Sequence, residues 1–349
     1  MARHSFFGAG IYGYGRRAGR TRTWMYIISG VLLVAAVYSI YCVVRGDGDV
    51  GEQTAPQKTS TDIKAEQKTD QPAAEEKLQP EADLAVQTVQ KTSDPNPKVA
   101  ELINEAMALI NAKPARIIDA RDRLNELLGA PASSQQRNLV KEQLSKLADK
   151  WLFSRTIFPQ DRLCESLQVA PGNILSTIGK QHKVPYEILM EINSIRSPES
   201  LRAGDVIKVV NGPFHARIYR STFTMDLYLQ NTFVRSFPVG LGRSGRETPT
   251  GLWCVKPGGK LISPTWTDPD TGKTYKAADP DYPLGSRWIA LEGIEGQAVG
   301  RTGIAFHGTK EPDLIGTAGS RGCIRLHNGD VILVYNLLVP TFSKVEIVE

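Results

Sequence analysis

The segment IAFHGTKEPDLIGTAGSRGCIRLHNGD, residues 304–330, is the most informative part of this 349-residue chain. Two of the five histidines, His307 and His327, and one of the four cysteines, Cys323, lie within it. Apolar residues before His307 and after Cys323 predict two short strands joined by a glycine-rich loop, which would bring both side chains together. An imidazole within reach of a thiol is the usual arrangement for nucleophilic catalysis by cysteine.

The residues on either side of the cysteine are basic. If residues 321–325 are extended, Arg321, Cys323 and Arg325 point to one face, and the two guanidinium groups are expected to lower the pKa of the thiol. The same groups could hold substrate carboxylates. The amide N–H groups of residues 321–323 are candidate oxyanion donors.

Two structural alternatives apply to Cys323. A buried core thiol is disfavoured by the Ser-Arg-Gly sequence before it, which is poor core material. A His–Cys metal site normally needs about four ligands, and no acid or further cysteine stands at ligand spacing. We therefore expect neither a metal nor a cofactor.

These residues resemble the catalytic motif of YkuD-type L,D-transpeptidases, in which a histidine precedes Gly-Thr and a Ser-x-Gly-Cys-Ile-Arg sequence follows. The motifs PVG (238–240), TPTG (248–251) and PLG (283–285) precede it in the family order, so the resemblance covers about residues 214–349. Many relatives carry histidine where Arg321 stands, which leaves His307 as the only base that matches the family. His327 is an alternative base without a family match. The expected site is Cys323 and His307 as catalytic residues, oxyanion or positioning residues Gly308, Ser320, Arg321 and Gly322, and substrate contacts Arg325 and Tyr282.

The resemblance also implies a reaction. The family acts on peptidoglycan stem peptides, so Cys323 would attack the third residue of a tetrapeptide, expel D-alanine and pass the acyl group to an amine of a neighbouring stem. Water as acceptor would give L,D-carboxypeptidase activity, and a protein amine would give attachment of a protein to peptidoglycan. A non-catalytic peptidoglycan-binding tether is a further alternative.

Residues 164–211 resemble a LysM module. The segment has the order strand, helix (Ile174 to Gln181), helix (Tyr186 to Asn193) and strand, with Pro171-Gly172 before the first helix and Gly204-Asp205 before the last strand. Asn173-Ile174 replaces the commoner Asp-Thr of the first turn. The resemblance implies binding of glycan strands that contain N-acetylglucosamine.

The N-terminal part predicts a membrane anchor. Residues 24–44 contain no charge and are long enough, at ~1.5 Å per residue, to span a hydrocarbon core of ~30 Å. Five arginines in residues 1–23 predict a cytoplasmic tail, with the rest of the chain on the periplasmic or extracytoplasmic side of a bacterial inner membrane. A cleaved signal peptide is the alternative, although this apolar run is longer than usual.

The remaining segments complete a multidomain architecture. Residues 45–97 lack aromatic residues and predict a disordered linker with a reach of ~40 Å. Residues 98–154 predict three amphipathic helices, as a spacer or packing platform. Residues 213–349 predict a mainly-β domain with a long loop over 257–286, a helix over 331–338 and a final strand. Cys164 and Cys254 could pair or stay free, and no long basic patch supports nucleic-acid binding.

Overall fold

The computed structural model describes residues 94–349. The predicted tail (1–23), anchor (24–44) and nearly all of the linker (45–97) lie outside the described residues. Within 94–349, none of the helices has the length and apolar character needed to cross a bilayer. The described residues all belong to one compact unit of the chain, which contains three regions in contact with one another.

Three helices form the first region, as predicted: α1 Pro97–Asn111, α2 Ile117–Leu127 and α3 Ser134–Trp151. Helix α3 begins with a capping box, in which Ser133 Oγ accepts from the Gln136 amide and the Gln136 side chain accepts from the Ser133 amide. Apolar side chains at helical spacing are buried between the helices, including Leu124, Leu144 and Trp151. The amphipathic pattern therefore buries one face of each helix within a small bundle.

The second region has the predicted order of elements: β1 Cys164–Gln168, α4 Leu175–Gln181, α5 Tyr186–Asn193 and β2 Val206–Val210, with β1 and β2 antiparallel. Asn193, at the end of α5, bonds both the amide and the carbonyl of Lys208. The Lys208 ammonium is buried against the carbonyls of Trp151, Ser154 and Thr156, and this contact fastens β2 to the end of α3.

The third region is mainly β, as predicted. Its elements are β3 Phe214–Tyr219, β4 Thr224–Leu229, β5 Thr232–Pro238, β6 Leu241–Gly242, β7 Gly251–Ile262, β8 Trp266–Thr267, β9 Thr274–Tyr275, β10 Arg287–Glu295, β11 Ala305–His307, β12 Ala318–Ser320, β13 Ile324–Arg325, α6 Asn328–Leu337 and β14 Lys344–Val348. Eight of these strands form a mixed sheet in the order β13-β11-β10-β7-β14-β3-β4-β5, in which the β11–β13 and β14–β3 pairs are parallel.

The helical region covers the edge strand β5. Asn125 of α2 accepts from the amide of Phe233 and donates to the carbonyl of Asn231, so its side-chain amide pairs with backbone groups at the edge of the sheet. Lys141 of α3 forms a 2.6 Å ion pair with Asp226, whose side chain is fully buried on the neighbouring strand β4. A sheet edge with free backbone groups is prone to association, and these helices protect it. The helices act here as a packing platform.

Two local expectations change in the structure. The predicted loop over 257–286 is wrong at its start, because β7 continues to Ile262 and the short β8–β9 hairpin interrupts the rest. Helix α6 begins at Asn328 rather than Val331, and the Asn328 side chain bonds the amide and carbonyl of Thr309 instead of capping the helix. Cys164, Cys254 and Cys323 are all free thiols.

Candidate active site

The predicted catalytic residues line one cleft of about 670 Å³ at the β11–β13 end of the sheet. His307 ends β11, and Cys323 immediately precedes β13, the parallel neighbour of β11. Arg321, Ser320 and Arg325 also line the cleft. The topology therefore brings together residues that are 16 positions apart in sequence, as the pattern predicted.

The His307 side chain is buried, with 5% of its surface exposed. Its Nδ1 lies 2.6 Å from the Gly308 carbonyl oxygen, and because a carbonyl only accepts, Nδ1 carries the proton and Nε2 carries the lone pair. The ring stacks on Trp288, directly opposite on β10, with centroids 5.7 Å apart and planes 13° apart. Burial lowers the pKa of His307 to about 4, so the imidazole is neutral and able to accept a proton at pH 7.

Cys323 is half-buried, and in this conformation its thiol donates to the Gly303 carbonyl at 3.3 Å. Burial raises the pKa of Cys323 to about 11, whereas an amide hydrogen bond from Ala305 and the charge of Arg325 act in the opposite direction. The expectation that two flanking arginines would depress the pKa of this thiol is therefore wrong. Burial outweighs the charge of Arg325, and Arg321 is paired with Asp268, so the thiol and the imidazole are both uncharged at neutral pH.

The chain turns at residues 320–323 and becomes a strand only at Ile324–Arg325, so only the end of the segment 321–325 is extended as predicted. Ser320 Oγ donates to the Cys323 carbonyl at 2.7 Å and accepts from the Gly322 amide at 3.1 Å. Gly322 has a φ of 114°, and a Cβ there would lie 3.1 Å from the Ile304 side chain, so glycine is required. The turn occupies the Gly322 amide and leaves those of Arg321 and Cys323 as candidate oxyanion donors.

Of the two predicted substrate contacts, only Arg325 lines the cleft. Arg325 lines the cleft and makes a 3.3 Å ion pair with Glu311, which is half-exposed. Tyr282 lies outside the cleft lining, and its hydroxyl donates to the Pro264 carbonyl at 2.6 Å. His327 precedes α6 and is not among the residues that line the cleft.

Close packing shapes the site in ways that the sequence did not show. Trp288 covers the imidazole and also lines a second cavity of about 240 Å³. Gly285 and Gly308 pack against each other and against Asn328 so closely that a Cβ at either glycine would lie within 2.3 Å of the Asn328 side-chain oxygen. Gly285 belongs to the PLG motif, which signalled its importance, whereas the sequence indicated for Trp288 only a packing or lid residue and not a contact with the histidine.

A thiol and a buried neutral imidazole that line one cleft, with candidate oxyanion amides at the turn before the thiol, are suited to acyl transfer through a thioester. Comparison with known proteins narrows this class. Residues 213–347 match the family model of the L,D-transpeptidase catalytic domain, YkuD, and residues 167–210 match that of the LysM domain. The chain thus carries a YkuD-family L,D-transpeptidase catalytic domain preceded by a LysM domain.

Individual curated relatives and a solved structure are similar to parts of this chain. YkuD of Bacillus subtilis, whose name assigns it to the L,D-transpeptidases, is 28% identical over 52% of this chain and 96% of its own. ErfK/SrfK of Escherichia coli, named for the same activity, is 32% identical over 54% of this chain, which spans only 56% of that relative. A solved L,D-transpeptidase from Mycobacterium smegmatis aligns at 14% identity and a TM-score of 0.30 over 42% of this chain and 64% of that one.

Proposed function

We propose that this protein is a peptidoglycan L,D-transpeptidase in which Cys323 is the nucleophile and His307 the general base. The observation that carries the proposal is the fixed tautomer of His307. Because Nδ1–H is held by the Gly308 carbonyl, the basic Nε2 remains available in the cleft that also contains the thiol. Such a base can activate a thiol whose own pKa is too high for spontaneous ionisation.

In the acylation step, the thiol turns from Gly303 and transfers its proton to His307 Nε2 as sulfur bonds to the carbonyl carbon of the third stem residue. The amides of Arg321 and Cys323 would stabilise the oxyanion. The bond from that carbonyl carbon to the nitrogen of the terminal D-alanine breaks, and the imidazolium returns the proton to the leaving amine. The product is a thioester on Cys323 and free D-alanine.

In the second step, an amine of a neighbouring stem attacks the thioester, giving up a proton to His307 and restoring the thiol through the reverse transfer. Water or a protein amine would give the carboxypeptidase or protein-attachment outcomes. Burial disfavours the imidazolium and makes His307 a weaker base, so this order of events requires the imidazolium to form together with the thiolate or oxyanion that stabilises its charge.

The other segments fit a cell-envelope enzyme. The proposed division is as follows: cytoplasmic tail 1–23, transmembrane helix 24–44, linker 45–97, helical region 98–154, LysM module 164–211 and catalytic domain 213–349. Both domain families are associated with peptidoglycan, and we propose that the LysM module grips glycan strands while the inner-membrane anchor retains the enzyme. Tethering raises the local concentration of a polymeric substrate.

The decisive experiment uses the full-length chain with disaccharide-tetrapeptides. The expected products are dimers cross-linked between two third residues, together with free D-alanine, and Cys323→Ser should form neither. Free tripeptide without dimers would indicate water as the acceptor. Undiminished turnover by Cys323→Ser, or a wild-type mass unchanged by a carbapenem, would contradict the assignment of the nucleophile.

A further inference from the structure

One wall of the cleft is formed by the segment between β7 and β10. We use the term lid for residues 263–286, between β7 and β10, which contain the β8–β9 hairpin. The rings of Trp266 and Tyr275 stack across that hairpin with centroids 6.0 Å apart, and the Tyr282–Pro264 hydrogen bond closes its base. The hairpin contributes Trp266, Thr267, Asp268, Pro269 and Tyr275 to the cleft lining.

One arginine ties this lid to the catalytic turn. Arg321 donates from Nη1 to Asp268 Oδ1 at 2.9 Å and from Nη2 to Asp268 Oδ2 at 3.1 Å, in the bidentate arrangement that suits guanidinium and carboxylate. Its Nε lies 2.9 Å from Asp270 Oδ2. Asp270 also pairs with Arg246 at 3.0 Å. All three nitrogens of Arg321 therefore face lid carboxylates.

The Asp268 carboxylate is oriented before it meets the arginine. Its Oδ1 also accepts from the amides of Asp270 and Thr271, which fixes it within the turn of the hairpin. The Arg321 hydrogen bonds hold the pKa of Asp268 below its usual value, so the group is ionised at neutral pH. Only 8% of the Asp268 surface is exposed, although 34% of the Arg321 side chain remains accessible.

We propose that Asp268 is a positioning residue that holds Arg321, and through it the lid, closed across the entrance to Cys323. Arg321 is then the anchor of the lid and not a substrate-binding cation, which departs from the role suggested by its place beside the thiol. Lid opening requires the Arg321 contacts to Asp268 and Asp270 to break together. Two other cations line the cleft, Arg243 and Lys310, and neither forms an ion pair with another of residues 94–349. They remain available to an anionic substrate.

The proposal rests on the proposed function only for the identity of the substrate, a peptidoglycan stem peptide, that enters the cleft beneath the lid. Its first test is trypsin cleavage of the full-length chain after Lys273 and Lys276, which are exposed within the lid. Asp268→Asn keeps an oxygen to accept the two turn amides but loses the charge. It should be cleaved in the lid roughly three- to tenfold faster than wild type, as expected for loss of a charge-assisted pair.

The matched control is Asp281→Asn, which removes the same charge from the same lid. Asp281 is exposed, and its ion pair with Lys273 is long, at 3.9 Å. Such an exposed pair contributes little, so its loss should leave lid cleavage unchanged. We call the contacts of Arg321 with Asp268 and Asp270 the latch. Added salt should screen the latch and so accelerate lid cleavage of wild type, and it should have little effect on cleavage of Asp268→Asn. Equal cleavage of wild type and Asp268→Asn would overturn the proposal, as would equal effects of the two substitutions.

A double-mutant cycle separates the latch from a general loss of structure. Arg321→Gln alone should resemble Asp268→Asn, and the double variant should be no faster than either, whereas Asp281→Asn and Arg321→Gln should act independently. The second readout is the rate at which maleimides label Cys323, measured on the proteolytic peptide that contains this residue. A polymer-linked maleimide should react faster when the latch is broken, and N-ethylmaleimide should change little.

Additive effects of Asp268→Asn and Arg321→Gln, or equal acceleration of both maleimides, would show that the substitutions loosen the domain rather than open the lid. Neither cleavage nor labelling requires transpeptidation. An absence of cross-linked product with an intact latch would therefore count against the proposed function alone.

Discussion

Acid is expected to destabilise this protein through His307. Burial lowers the pKa of its imidazole from 6.5 to about 4. In the unfolded chain the group regains its ordinary pKa, so between these two values the unfolded state binds a proton that the folded state does not. The His307 contribution is thus fully present above pH 6.5 and is lost as the pH falls towards 4. At about 1.36 kcal/mol per pKa unit, the whole effect is roughly 3 kcal/mol.

The assay is urea unfolding of wild type and His307→Gln at pH 7 and pH 4.5. Wild type should lose about 2 kcal/mol more than the variant over this interval, since the imidazole of the unfolded chain is then nearly fully protonated. The Cys323→Ser variant is the control for changes at the cleft, and it should retain the wild-type loss because its imidazole stays buried. Parallel pH dependences for wild type and His307→Gln would refute the burial argument.

Three further predictions concern residues around the site and the regions that support it. Trp288→Leu should let water reach His307 and raise the pKa of its imidazole, which moves the acid limb of carbapenem acylation up by about one pH unit, whereas Trp288→Phe should keep most of the wild-type profile. Lys208→Met should lower the free energy of unfolding in urea by about 3 kcal/mol, because it strands the carbonyls that the ammonium bonds, and it should leave the acylation rate of folded protein unchanged. Lys141→Met should cost about 3 kcal/mol in the same assay, since it leaves the carboxylate of Asp226 buried without its cation.

The local elements were largely predictable because they depend on short-range patterns. Apolar spacing identified the three helices of residues 98–154, and the pattern of residues 213–349 identified a mainly-β domain that ends in a strand, β14. The failures were local as well. Residues 320–323 contain a glycine with positive φ, and a strand pattern that ignores this possibility predicts extension where the chain turns.

The sequence by itself determined the two domain types and their order, and it singled out Cys323 and His307 as the candidate catalytic pair, because ordered motifs carry that information along the chain. Only the tertiary structure decided the electrostatics of the cleft. Arg321 meets Asp268, 53 residues earlier, and the imidazole meets Trp288 on another strand. Burial and ion pairing depend on groups that distant segments bring together, so the pKa of a thiol cannot be read from the arginines adjacent to it in sequence.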